Sequence, residues 1–210
     1  MTRNAAVRIV KPIVFLVCLG PFAWFVFLGF SGGLGVNPVE AVIRGIGDWA
    51  LRFLLIALAV TPLRLLTGVN ELSRFRRMLG LFAFFYAFLH ILAYLGADLE
   101  FDLHALWLDV VKRKYITVGM ASFLILIVLA ATSTAGSVRR LGGKAWRNLH
   151  RLVYAAGCLA VLHYFWMVKR DVTEPLIYGA VLAALLTLRM IKRRKTATRR
   201  VAIQPGGARP

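Results

Sequence analysis

Long apolar stretches separated by short polar ones set the pattern of this chain. Six of them cover roughly 12–30, 49–66, 79–97, 115–132, 149–168 and 175–191. Each is close to the ~20 residues that carry a helix across a hydrocarbon core of about 30 Å. None alternates with period 2, so the spanning elements are predicted to be helices and not the strands of a barrel. The predicted fold class is all-α: a polytopic membrane protein built as a six-transmembrane-helix bundle. The first stretch carries a basic flank of Arg3, Arg8 and Lys11. Its apolar run is too long for the core of a cleaved signal peptide, and no clean A-x-A site follows, so it is expected to remain as an anchor. Pro21 falls inside it and Pro62 near the end of the second stretch. Proline is tolerated in membrane helices, and both positions predict kinks.

Composition agrees with this pattern. The chain of 210 residues is 60% hydrophobic with a mean hydropathy of +0.72, against about 45–50% apolar residues in a soluble domain. A net charge of +18 would by itself suggest nucleic-acid binding, but the placement of the charges excludes it. Basic residues gather at Arg3/Arg8/Lys11, Arg74/Arg76/Arg77, Arg139/Arg140/Lys144/Arg147 and Lys192/Arg193/Arg194/Lys195, which are the N-terminus, every second loop and the C-terminus. The acidic residues fall in or beside the other loops, Glu71 excepted. This is the positive-inside pattern of six spans with both termini cytoplasmic. It divides the chain into a cytoplasmic N-terminus (1–11), a membrane domain (12–191) and a basic cytoplasmic tail (192–210). Cys18 and Cys158 lie in apolar stretches with no CxxC or CxxCH motif, so a disulfide or covalently attached haem is not expected and both read as small core residues.

Three histidines lie in apolar surroundings: His90, His150 and His163. A polar ring in hydrocarbon is costly and needs a partner. In the predicted topology the third and fifth helices both run outward. His90 is 13 residues beyond Arg77 and His163 is 16 beyond Arg147, which places both rings roughly 20–24 Å along their helices. Two imidazoles at one depth on two helices can hold a haem iron between them. His150 lies about 20 Å deeper, where Arg76 is its counterpart on the third helix. Arg76 and His90, 14 residues apart, share a helix face. The 13 residues between His150 and His163 turn the ring by about 140° in a straight helix, so a second stacked centre needs a bend there. The alternative for any one of these histidines is a hydrogen bond to a neighbouring helix, and His150, beside Arg147 and Arg151, also reads as an interfacial residue. Phe82, Phe84, Phe85, Phe88, Tyr94, Tyr154, Tyr164, Phe165 and Trp166 could flank a porphyrin or face lipid. His104, in the acidic stretch DLEFDLHALWLD, is expected to be solvated.

The strings RRMLG (76–80), GKAWRNLHRLVY (143–154) and LHYFW (162–166), set in six spans, resemble the MsrQ (formerly YedZ) family. These are haem-binding membrane subunits of the bacterial periplasmic protein-methionine-sulfoxide reductase system, within the ferric-reductase-like transmembrane group. The resemblance runs from about residue 10 to 192. It implies a b-type haem between His90 and His163, with His150 available to a second site. Larger relatives place two histidines on each of two helices, whereas this chain has Arg76 at one of those positions. An arginine has no lone pair for iron, so any inner haem is expected to be weakly held, with His150 on the iron and Arg76 on a propionate. The resemblance also implies FMN, for which no motif occurs in the sequence.

The expected function is electron transfer across the bacterial inner membrane. Electrons would come from the quinone pool or a cytoplasmic flavin reductase. They would pass to a periplasmic molybdopterin-containing reductase that repairs methionine sulfoxide in oxidised proteins, so the chemistry on sulfur belongs to that partner. The residues after the last apolar stretch are too few for a nicotinamide-binding domain. The basic loops are expected to meet anionic lipid or an acidic reductase, and the stretch 98–109 to offer an acidic docking surface. The competing reading is a small histidine-relay proton channel or transporter, which lacks the inverted repeat of such proteins. Cysteine-accessibility labelling checks the topology: a cysteine at position 104 should react from outside the cell and one at position 140 only after the membrane is opened, and the reverse result would turn the protein over.

Overall fold

A computed structural model describes residues 3–202, with side chains described for 7–191. Among the described residues there are eight α-helices: α1 (Arg3–Ser31), α2 (Pro38–Thr67), α3 (Arg76–Ala93), α4 (Leu103–Lys112), α5 (Lys114–Ala131), α6 (Ala135–Leu149), α7 (Val153–Met167) and α8 (Thr173–Ala202). Among the described residues, five helical segments are long and apolar enough to cross a membrane: Val7–Ser31, Pro38–Thr67, Arg76–Asp98, Lys114–Ala131 and Thr173–Ile191. The predicted fifth span, 149–168, instead divides into a 3-10 turn (His150–Leu152) and the 15-residue α7. That tighter turn rotates the chain about 60° further than three α-helical residues would, which closes only part of the His150–His163 offset, because 3-10 residues advance by about 120° instead of about 100°.

Two further departures matter. α2 begins at Pro38, 11 residues before its apolar run. Asn37 caps it by accepting a bond from the Glu40 N–H (3.2 Å), and Pro38 occupies the first turn, where its missing N–H costs nothing. Glu40, Arg44 and Asp48 break the apolar pattern of this first part, so hydropathy alone cut it off. The acidic segment 98–109 is likewise no simple loop. It contains α4, started by the Asp102 carboxylate, which accepts from the His104 and Ala105 N–H groups at 2.8 and 3.0 Å. Those two bonds hold the Asp102 carboxyl below the usual carboxylate range. His104 is exposed in the first turn of α4, as expected of a solvated residue. The first part of the basic tail continues α8 to Ala202, and residues 203–210 of that predicted tail lie outside the described residues.

The most extensive helix interfaces join α2 to α3 and α5 to α7, and α3 also meets α5. Each of the two dominant interfaces therefore joins a helix of one direction to a helix of the other. The core lies mainly between α2 and α3, where Phe53 stacks on Phe82 and on Tyr86 with ring centres 5.7 and 5.1 Å apart. α5 and α7 approach closely through small residues: Ala156 is fully buried and its carbonyl accepts from the Ser122 hydroxyl at 2.9 Å. Small side chains and such hydroxyl bonds are how helices associate without a hydrophobic drive between them. Of the two cysteines, Cys18 is buried as expected, but Cys158 is exposed on α7.

α1 touches the bundle lightly. Its main polar tie is Tyr86, a fully buried side chain of α3. The Tyr86 hydroxyl donates to the Cys18 carbonyl (2.7 Å) and accepts from the Phe22 N–H (3.1 Å), beside Pro21. One hydroxyl thus serves backbone groups at the proline. Replacing Tyr86 by Phe should cost about 1–2 kcal/mol, the usual worth of buried hydrogen bonds. A lower melting temperature of the detergent-purified protein, with unchanged helix content, is the expected result.

Candidate functional site

His90, near the end of α3, and His163, near the end of α7, come together. Their ring centres are 6.3 Å apart and their planes are inclined at 77°. These are the two histidines that the sequence places at one depth. The structure adds how each ring is held. His90 Nδ1 lies 2.9 Å from the Ile43 carbonyl of α2, and His163 Nδ1 lies 2.7 Å from the Tyr115 carbonyl of α5. A carbonyl only accepts, so each Nδ1 carries the proton and each Nε2 keeps its lone pair. A hydrogen bond from one ring nitrogen to a carbonyl is what fixes the tautomer and orientation of a metal-binding imidazole. Both rings border a cavity of about 440 Å³ between α2, α3, α5 and α7, with Leu106 of α4 at its edge.

The cavity floor is apolar, with Leu54 and Leu126, and its mouth is polar, with Arg44, Asp48, Tyr94, Asp98 and Arg113. The two arginines are each paired with a carboxylate one turn earlier: Arg44 with Glu40, and Arg113 with Asp109 at 3.0 Å. The Tyr94 hydroxyl donates to the other oxygen of Asp109. Behind this mouth, Arg52 donates from Nε to the Tyr178 hydroxyl (2.8 Å), lies over the Trp49 ring at 5.0 Å, and faces Asp48 at 4.0 Å. The Tyr164 hydroxyl donates to Glu174 at 2.6 Å. Charges at membrane depth are thereby partnered. Of the nine aromatics considered from the sequence, Tyr94 and Tyr164 line the cavity, while Phe82 belongs to the core and Phe165 and Trp166 are exposed.

His150 is held differently. Its Nε2 is 3.1 Å from the Thr132 hydroxyl, and its ring stacks on Trp146 with centres 3.9 Å apart. Thr132 donates its hydroxyl proton to the Val128 carbonyl at 2.7 Å, so His150 donates from Nε2. The Trp146 indole N–H closes the cluster on the Thr132 carbonyl at 2.8 Å. The nitrogen left open at the outer pair is therefore the one engaged here. Arg76, at the start of α3, is exposed and reaches the Thr61 hydroxyl at 3.5 Å.

Sequence reading missed the residues opposite the histidines. Gly47, four residues after Ile43, and Gly119, four after Tyr115, lie flat against the two rings. Their only legible signal is a glycine inside a helical segment, which costs about 1 kcal/mol relative to alanine and so has a packing reason.

Residues 45–161 match the family described as ferric reductase like transmembrane component. Among curated proteins, the chain is 55% identical over 184 residues to one from Rhodospirillum rubrum, covering 88% of both chains. It is 49% identical over 191 residues to one from Caulobacter vibrioides, covering 91% of both. A third, from Polaromonas naphthalenivorans, is 47% identical over 194 residues, covering 91% of this chain and 89% of its own. Each of the three is named protein-methionine-sulfoxide reductase heme-binding subunit MsrQ.

Proposed function

Because the chain belongs to the MsrQ family of ferric-reductase-like transmembrane proteins, we propose that it is the haem-binding, electron-transferring subunit of a protein-methionine-sulfoxide reductase. The observation that carries this reading is the His90–His163 pair. A metal–imidazole bond of about 2 Å and about 1 Å from Nε2 to the ring centre set two rings on opposite sides of one metal about 6 Å apart, and the two rings are 6.3 Å apart. The chemistry of the donor set therefore fits a b-type haem. Bound haem supplies one-electron transfer at a potential set by ligands, burial and hydrogen bonding.

The residues of this chain orient the ligands, exclude water and supply charge at the rim. Ile43 and Tyr115 fix the imidazoles, Leu54 and Leu126 keep the inner part of the cavity apolar, and Arg44 and Arg113, each already paired with a carboxylate, would be the cationic groups of the rim for haem propionates. His150 with Arg76 forms a second, weaker position. There His150 would have to release Thr132 before it could offer Nε2. The histidine-relay alternative draws no support from the outer pair, since each Nδ1–H ends on a helix carbonyl.

In this reading the chain lies in the bacterial inner membrane with both termini cytoplasmic. Residues 150–167, the 3-10 turn plus α7, serve as the fifth of six spans, rising about 28 Å. The cavity mouth faces the periplasm, where a molybdenum-cofactor subunit reduces methionine sulfoxide. The donor is the quinone pool or a cytoplasmic flavin reductase. The acidic residues Asp98, Glu100 and Asp102 beside α4 supply charge for docking that partner.

The absorption spectrum of the purified protein tests the proposal. Wild type should show a Soret band that acid–acetone extracts, because the haem is held without a covalent bond. His90→Ala and His163→Ala should each remove most of it, His150→Ala only part, and His104→Ala none. No Soret band after haem-sufficient expression, or full haem in both His90→Ala and His163→Ala, would refute it.

A further inference from the structure

The two histidines of the outer pair are held by the same device used twice. On α2, the Ile43 carbonyl accepts from His90 Nδ1 at 2.9 Å, and a Cβ placed on Gly47 would lie 2.9 Å from that same Nδ1 and 3.1 Å from Cε1. On α5, the Tyr115 carbonyl accepts from His163 Nδ1 at 2.7 Å, and a Cβ on Gly119 would lie 2.6 Å from Nδ1, 2.9 Å from Cε1 and 3.1 Å from Cγ. In both, the glycine is four residues after the carbonyl. Inside a helix, a carbonyl already accepts from the N–H four residues on. Here its second lone pair is reached from the side by a ring N–H, and the fourth residue carries no side chain to stand in the way. A methyl group there would stand only 2.9 or 2.6 Å from the ring's own nitrogen, inside van der Waals contact. Nothing comparable surrounds Gly80 on α3 or Gly20 on α1, where a Cβ would meet no atom within 4 Å.

We infer that Ile43–Gly47 and Tyr115–Gly119 are paired carbonyl–glycine sockets that position the two haem-ligating imidazoles, Gly47 and Gly119 being positioning residues whose missing side chain sets each ring's tautomer and plane. This rests on the proposed haem ligation by His90 and His163. It accounts for two glycines placed at a cost in helices that otherwise favour side chains. It also fixes the 77° between the ring planes as a property of the two anchoring helices, since each ring is locked to a different helix. Alanine at either position displaces the ring, breaks its bond to the carbonyl and releases Nδ1 as an alternative site of protonation or ligation. Gly119 has the tighter fit, so its replacement has the larger effect.

The test compares wild type, Gly47→Ala, Gly119→Ala and the control Gly80→Ala as detergent-purified full chains. Haem per protein, the ferric low-spin electron paramagnetic resonance spectrum and the midpoint potential are read for each. Gly80→Ala should match wild type in all three. Gly119→Ala should lose more than half of its haem, and Gly47→Ala less. The haem that remains in both should show shifted g-values and potential, because ring orientation and Nδ1 bonding have changed. Wild-type g-values and potential in both glycine variants, with wild type itself loaded, would overturn the sockets while leaving haem ligation intact. A wild type without haem would instead remove the ligation on which they rest. Melting temperatures separate the ring from general helix packing. Gly119→Ala added to His163→Ala should melt no lower than His163→Ala alone, since the ring it collides with is gone. An equal loss of stability with and without the ring would assign the glycine to helix packing and refute the inference.

Discussion

An imidazole at membrane depth must have both its nitrogens accounted for, and the arrangement of this bundle follows from how that demand is met. Water is not there to supply a partner, and an unsatisfied ring nitrogen in hydrocarbon is costly. His90 and His163 satisfy Nδ1 on helix carbonyls that are already in use for the helix itself. Two consequences follow. Each histidine-bearing helix must lie close against the helix that supplies the carbonyl, which is why α2 with α3 and α5 with α7 form the most extensive interfaces. And each ring is left with one nitrogen facing the space between the two pairs. His150 shows the contrast: with its Nε2 engaged by Thr132 and its face on Trp146, the same side chain is part of the scaffold.

The charged side chains of α2 obey the same constraint. Arg44, Asp48 and Arg52 lie on a largely apolar helix that also carries Glu40 and Arg64, and each of the three has a partner: Glu40, Arg52 itself, and the Tyr178 hydroxyl of α8. The polar mouth of the cavity is thus built largely from the first turns of α2, together with the segment around α4. An apolar floor and a rim of paired charges, Arg44 with Glu40 and Arg113 with Asp109, give the cavity two chemically distinct ends. The same charges tie α8 to α2, so the rim also contributes to the packing of the bundle.

Much of this was legible in the sequence, and the failures share a cause. Spans appear as apolar runs, and depth follows from residue counts between a basic loop and a histidine, so the His90–His163 pair could be predicted. The start of α2 could not, because Glu40, Arg44 and Asp48 interrupt its hydropathy although the helix is continuous. Hydropathy registers composition, whereas Asn37 and Pro38 fix where the backbone begins to turn. The break before α7 is similar: a 3-10 turn at His150–Leu152 leaves no mark on an apolar profile, only an awkward 13-residue spacing. Gly47 and Gly119 stayed hidden because their role lies in what is missing, and its importance depends on a ring from a residue more than forty positions away.

That separation has a bearing on how the protein is made. The first histidine and its anchor are 47 residues apart, and the second pair 48. The two intervals, 43–90 and 115–163, do not overlap. Each half of the site is therefore complete within one contiguous stretch of chain, and the N-terminal half can close while the C-terminal half is still on the ribosome, in the manner of units that fold in order of synthesis. Only the meeting of the two rings across the cavity requires both. The ligand pair is in this sense an assembly of two locally finished parts. The loop-closure entropy it demands is limited to docking one hairpin-like unit against another, with no threading of distant segments through a membrane already crowded with helices.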